Sequence, residues 1–153
     1  MNAIGFLKIY DSHIECSKEF DDLFSNKLID PVTLEEVVSY LRNGISTIKY
    51  ISDIYDTDGE IIGPNIIYTD GVWIWPSYYT FYINKYPQLL IPDDLIQHVI
   101  ANRHHPINVS KEEKMYIEYM IAKMLDEKLI KDYKLSNEIR DLINKRGEVI
   151  NCY

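Results

Sequence analysis

The stretch Ile66-Ile67-Tyr68-Thr69-Asp70-Gly71-Val72-Trp73-Ile74-Trp75-Pro76 decides the fold class. Two apolar runs flank a two-residue Asp-Gly turn, the strongest short-range hairpin signal a sequence carries. Pro76 brings no N–H to a ladder, so the second strand is expected to close there. Successive strand residues point to opposite faces, so Trp73 and Trp75 share one face while Val72 and Ile74 share the other. Either pair can be the core pair. The structural expectation packs both Trp beneath helices; the functional one sets an aromatic beside the acidic loop as an interface anchor.

Working upstream, Ile45, Thr47, Lys49 and Ile51 alternate with Ser46, Ile48, Tyr50 and Ser52, the period of a strand. Asp58-Gly59 and Gly63-Pro64-Asn65 read as turns. Before them, Asp30-Pro31 opens a helix with Leu34, Val37, Val38 and Leu41 as its apolar stripe. Thr33-Leu34-Glu35-Glu36 has the spacing of a capping box, and Asn43-Gly44 ends the helix with a cheap left-handed glycine. Phe20, Leu23 and Phe24 suggest a helix from about Ser17 to Asn26, and Phe6 to Cys16 is ambiguous.

Downstream, Ser77 is placed to cap a helix of Tyr78, Tyr79, Phe81, Tyr82 and Ile83, ending near Tyr86-Pro87. Pro92-Asp93-Asp94 starts another that buries Leu95, Ile96, Val99 and Ile100 and breaks at His104-His105-Pro106. Ser110-Lys111-Glu112-Glu113 is a capping box for a helix reaching about Lys131, and a last helix runs from Ser136 to Lys145 before Gly147. Segregated strands and helices mean an α+β domain spanning residues 1–153. Its antiparallel meander of three or four strands packs against several helices, and its C-terminal third is helical.

Charge is uneven. The net charge is −8. Residues 1–100 hold fifteen acids against six bases, whereas residues 101–153 hold nine against ten. Between Tyr50 and Asn84 lie five acids (Asp53, Asp56, Asp58, Glu60, Asp70) and no base. Such a field repels phosphate, so direct nucleic-acid binding is disfavoured there. Lys111, Lys114, Lys123, Lys128, Lys131 and Lys134 interleave with acids as on a solvated helix face.

Signatures of chemistry are sparse. Counting back from Gly59 puts Ile54 and Asn65 where a calcium loop needs acids, so Asp56-Thr57-Asp58-Gly59-Glu60 fails as an EF-hand and reads as an acidic turn. His13, His98, His104 and His105 lack the spacing of a zinc site, and six glycines leave little room for a phosphate loop. No metal and no cofactor are expected. The N-terminal residues carry neither a basic segment nor an apolar run, so no signal peptide and no membrane segment are read, and the expected compartment is the cytoplasm. Cys16 and Cys152 can bridge if the termini meet, but in that compartment two reduced thiols are expected.

The hairpin with Tyr79 and Tyr82 behind it, then Leu90-Ile91-Pro92-Asp93-Asp94-Leu95 and His98, resembles a family of small bacterial immunity proteins of polymorphic and contact-dependent toxin systems. In these an S/T-D-G-x-W-x-W-P hairpin precedes a YY helix and an LP-D/E-E-F helix. Leu95 stands here in place of Phe and Asp94 in place of Glu, and the match covers about residues 66–98. The resemblance implies a non-enzymatic cytoplasmic partner, monomeric in a 1:1 complex, that neutralises a cognate toxin domain, often a nuclease. Independently, a site that holds phosphate is basic, so its inhibitor should be acidic and associate quickly. On that logic Asp53, Tyr55, Asp56, Asp58, Glu60 and Asp70 are the candidate partner-binding residues. Glu15, Glu19, Asp21 and Asp22 form a competing patch. Two other classes stand beside this one: a generic adaptor using the tyrosine-rich surface, and a small hydrolase or transferase with a Tyr/His/Asp site at His98 or His104.

Overall fold

A computed structural model describes residues 1–25, 28–126, 130 and 135–153. The elements in chain order are β1 (Asn2–Ala3), α1 (Lys8–Asp11), a 3₁₀ turn at Asp21–Leu23, α2 (Pro31–Arg42), β2 (Ile45–Tyr55), β3 (Ile61–Thr69), β4 (Trp73–Pro76), α3 (Ser77–Lys85), α4 (Asp93–Asn102), α5 (Lys111–Leu125), α6 (Asn137–Arg146) and β5 (Asn151–Cys152). One five-stranded sheet has the order β2-β3-β4-β1-β5. The α+β class is as expected. β2, β3 and β4 form the antiparallel meander, while β1 and β5 extend it in parallel.

Every residue of β4 is buried. Trp73 and Trp75 lie in one apolar cluster with Val37 and Leu41 of α2, Tyr78 and Ile83 of α3, and Leu95 and Val99 of α4. Ile74 lies in a second cluster with Ile67, Ala3, and Ile117, Met120 and Ile121 of α5. The sheet is therefore the middle layer of three. Both Trp are core residues, and Ile74 is equally so because helices cover both faces. Val72 precedes the strand and is exposed.

Several local expectations are corrected. The helix predicted over 17–26 is absent among its described residues: Lys18 bridges Leu7, Phe24 bridges Leu89, and only the short 3₁₀ turn lies between. The backbone bonds go across chain instead, with Ser25 N donating to Gln88 O at 2.9 Å and Leu90 N to Leu23 O at 2.6 Å. At α2 the cap is Asp30, whose carboxylate accepts from Val32 N (3.2 Å) and Thr33 N (2.9 Å), rather than the Thr33 box. Gly44 does not adopt a left-handed conformation. Glycine is required there because a Cβ would be built into the Trp75 indole ring.

β3 runs straight through Gly63-Pro64-Asn65, expected as a turn, and Pro64 pairs with Asp53. Proline is tolerated because β4 reaches only to Ile67, leaving no second neighbour strand at residue 64. Pro76 pairs opposite Ile67 as the last residue of β4, so the strand closes there as expected. Ser77 makes no cap. Its Oγ donates to Pro64 O at 2.8 Å and accepts from Ile66 N at 3.4 Å, tying the start of α3 to β3. Ile100 is exposed instead of buried, lying on the solvent side of α4. The capping box at Ser110 is present in full. α5 ends at Leu125, with Asp126 extended after it, and Lys128, Lys131 and Lys134 lie outside the described residues.

The thiols expected to be reduced are joined: Cys16 and Cys152 form a disulfide with Cα atoms 5.1 Å apart. The cause is topological. β1 pairs with β5, setting Ala3 against Cys152, and Cys16 packs in the cluster that holds Ala3. No helix among the described residues is long and apolar enough to cross a membrane.

Gly44→Ala is expected to lower stability by about 1–3 kcal/mol, the usual cost of overpacking a rigid core contact. A urea denaturation midpoint measures it, with the slope unchanged.

Candidate functional site

The acid-rich segment caps the β2–β3 hairpin at the edge of the sheet. Tyr55 and Ile61 are cross-strand partners, 53% and 63% exposed, and Ile51 is fully exposed. Between Lys49 and Asp53 the pairing shifts, with more residues on β2 than on β3. Such a bulge pushes the strand outward and explains the exposure of Ile51. Asp53, Asp58 and Glu60 are exposed around this apolar strip.

Two of the predicted residues are not surface groups. Asp56 is buried, and its carboxylate takes an ion-paired hydrogen bond from Lys85 and accepts from Asp58 N at 2.5 Å. Lys85 is also 3.6 Å from both Asp58 and Glu60. The hydrogen bond from Lys85, followed by that of the Asp58 amide, holds the Asp56 carboxyl below its usual range; the same pairing raises Lys85. The acid-only run of the sequence is thus half-neutralised by the residue that immediately follows it.

Asp70 lies at the opposite end of β3, a nine-residue strand and so roughly 25 Å away. Its side chain is 1% exposed. Oδ1 accepts from Val72 N (2.8 Å) and Trp73 N (2.7 Å), forming the turn of the hairpin. Oδ2 accepts from Tyr40 OH (3.0 Å) and His98 Nε2 (2.7 Å). Burial alone would raise the Asp70 pKa; the bonds from His98 and from the Trp73 and Val72 amides outweigh it and hold the carboxyl low. Ionised, Asp70 only accepts, so His98 Nε2 carries the proton in this bond. The group clamps the turn to α2 and α4. Tyr40, desolvated and beside that carboxylate, has its hydroxyl pKa pushed upward and stays neutral.

The structure also relates the two rival acidic patches. Phe20 packs edge-on against Tyr82 (5.0 Å between centroids) and Tyr86 (5.6 Å), and Phe24 against Tyr86 (5.9 Å). Lys85 sits over Phe81 and Tyr86 at 5.4 and 5.7 Å. Tyr10 OH donates to Tyr55 O at 2.9 Å and lies 2.6 Å from Tyr82 OH. Asp21 and Asp22, next to Phe20, and Asp58 and Glu60, around Lys85, are therefore two banks of one aromatic seam. Glu19 is on the same bank and pairs with Lys8 at 3.1 Å. Glu15 is exposed but stands apart, beside the disulfide.

Lys85 and the seam aromatics were not singled out as site residues by sequence. The available signal was the spacing of Tyr78, Tyr82 and Tyr86, four apart on one helical face. Among the described residues no group of three His, Cys, Asp or Glu side chains is placed to hold a metal ion.

Asp70→Ala leaves Tyr40 and two backbone amides without their acceptor and is expected to cost about 3 kcal/mol at pH 7. The native carboxyl titrates below its ordinary 3.8. Its contribution is thus complete above that value and lost as pH falls through the depressed one. Urea titrations between pH 7 and pH 3 should show a steeper acid loss for the native chain than for the variant.

No protein-family model, curated protein or solved structure matches the chain.

Proposed function

We propose that the chain is an immunity protein that binds a basic toxin domain of the nuclease class in the cytoplasm and occludes its phosphate-holding site. The observation that supports this most is the apolar strip of exposed Ile51, Tyr55 and Ile61 among exposed Asp53, Asp58 and Glu60, with exposed Phe24, Asp21 and Asp22 on the other bank of the seam. Interface hot spots combine aromatic anchors with a rim that keeps water out, and complementary charge accelerates encounter. Asp56 and Asp70 have structural roles and leave the set of contact residues. Asp21 and Asp22 join it. The hairpin and aromatic-helix motif adds the immunity assignment, by resemblance.

A second reading has one observation in its favour. Asp70, His98 and Tyr40 are hydrogen-bonded together, and Tyr40 lines a cleft of ≈ 630 Å³ with Glu35, Arg103 and His104. That is the set a small hydrolase at His98 would use. Turnover of an ester or phosphoester panel by the native chain, lost in His98→Gln, would favour it over the inhibitor.

For the inhibitor, the tagged chain is used to capture partners from its native cell at low and high salt. A basic polypeptide held at low salt and weakened by high salt is expected. With that partner, Asp53→Asn, Asp58→Asn and Glu60→Gln together should slow association about tenfold and flatten its salt dependence, with stability nearly unchanged. Tyr55→Ala should act on dissociation instead. Unaltered kinetics in both variants would remove this surface from the interface.

A further inference from the structure

Among the described residues five polar side chains are buried: Asp11, Ser17, Asp56, Thr69 and Thr80. Four of them are hydrogen-bonded. Asp11 accepts from Tyr78, Ser17 donates to Ile14 O, Asp56 accepts from Lys85, and Thr69 donates to Trp73 O. Thr80, 9% exposed, has no such partner. A hydroxyl withdrawn from water without a protein partner is the exception in a folded chain and calls for an explanation. Thr80 lines a cleft of ≈ 330 Å³ between the end of α2, β3 and α3. Leu41, Ile62, Pro64 and Phe81 make its walls apolar, and two more polar groups without partners, the Asn84 amide and the Arg42 guanidinium, line it as well.

Arg42 is not occupied by its own helix. The last carbonyls of α2 already have donors: Asn43 Nδ2 to Ser39 O at 2.8 Å, Asn43 N to Tyr40 O at 3.0 Å, and Gly44 N to Leu41 O at 3.2 Å. Nor does it hold a carboxylate, as Lys8, Lys85, Arg103, Lys114, Lys123 and Arg146 each do. In an acidic chain this guanidinium is left unpaired beside an unpaired buried hydroxyl. The opposite wall is fixed by Ser77 Oγ, which is bonded to both Pro64 O and Ile66 N.

We propose that this cleft binds an apolar monocarboxylate. The guanidinium of Arg42 takes the carboxylate in the paired geometry that suits the two groups, Thr80 and Asn84 donate to it, and the apolar body lies against Leu41, Ile62 and Phe81. The volume is at the lower end for ligand pockets, which favours a small molecule or the end of a chain. Charge decides the class of anion. Among the described residues Arg42 is the one charged side chain lining the cleft. Glu35 shares a neighbouring cleft with it, and Lys85, over the Phe81 ring, is surrounded by Asp56, Asp58 and Glu60. One carboxylate is matched by Arg42, whereas a phosphomonoester brings roughly twice the charge against a single cation with these acids nearby. The assignment is independent of the toxin reading.

The test titrates the full ¹⁵N-labelled chain at neutral pH and constant ionic strength with 3-phenylpropionate, its amide and phenyl phosphate, following backbone amide resonances by NMR. The acid is expected to shift Gly63, Thr80 and Asn84 saturably, with a dissociation constant on the order of 1 mM. The amide and the phosphate ester should bind about tenfold more weakly or not at all. Arg42→Gln should weaken the acid about tenfold with the melting temperature unchanged. Thr80→Val removes a hydroxyl without stranding a partner, so it should weaken the acid about threefold while stability holds or rises. A tripeptide ending in a free Phe carboxylate identifies the source: tighter binding than the acid assigns a chain end, weaker binding a small molecule. No saturable shift by about 20 mM acid, equal affinity for the amide or the phosphate ester, or unchanged affinity in Arg42→Gln would each overturn the proposal.

Discussion

Everything in this fold depends on the four residues of β4 being buried on both sides. A strand so short contributes few ladder bonds, yet Trp73, Ile74 and Trp75 fill two apolar clusters at once. Burying side chains of that size is worth several kcal/mol each way, far more than the local propensity of the segment. The constraint propagates outward. Gly44 must lack a side chain to let the Trp75 ring pass. Asp70 must hold the turn with its own carboxylate, and α2 and α4 must supply Tyr40 and His98 to satisfy that carboxylate.

The same logic explains why an acidic protein buries carboxylates. Asp56 and Asp70 each end a strand segment, and each accepts amide hydrogens from the following turn while receiving a further donor from a helix. They fasten the two ends of β3 to α3 and to α2 with α4. Among the exposed acids, Asp58 and Glu60 lie at an aromatic seam, where the cation Lys85 already lies across the rings.

What was legible in the sequence had local causes. Asp30-Pro31, the Ser110 box, Gly147 and the Asp-Gly hairpin each signal through neighbours a few residues away, and all four appear as helix ends or as the turn. What was not legible depended on distant residues. β1 and β5 have two residues each, too few for any period to register, and they exist because the two ends pair. Asp56 and Asp70 looked like surface acids because their partners, Lys85 and His98, are 29 and 28 positions away. Phe20 and Phe24 were spaced for a helix, yet tertiary stacking on Tyr82 and Tyr86 took them instead.

The strand order carries a practical geometry. β2 forms one edge of the sheet and β5 the other, with β1 beside it. Three inter-strand spacings, about 14 Å, separate β2 from the N-terminal strand, and four, about 19 Å, from the C-terminal one. A label, a surface tether or a fused domain at either end would leave from the same side of the molecule and leave the opposite side unobstructed.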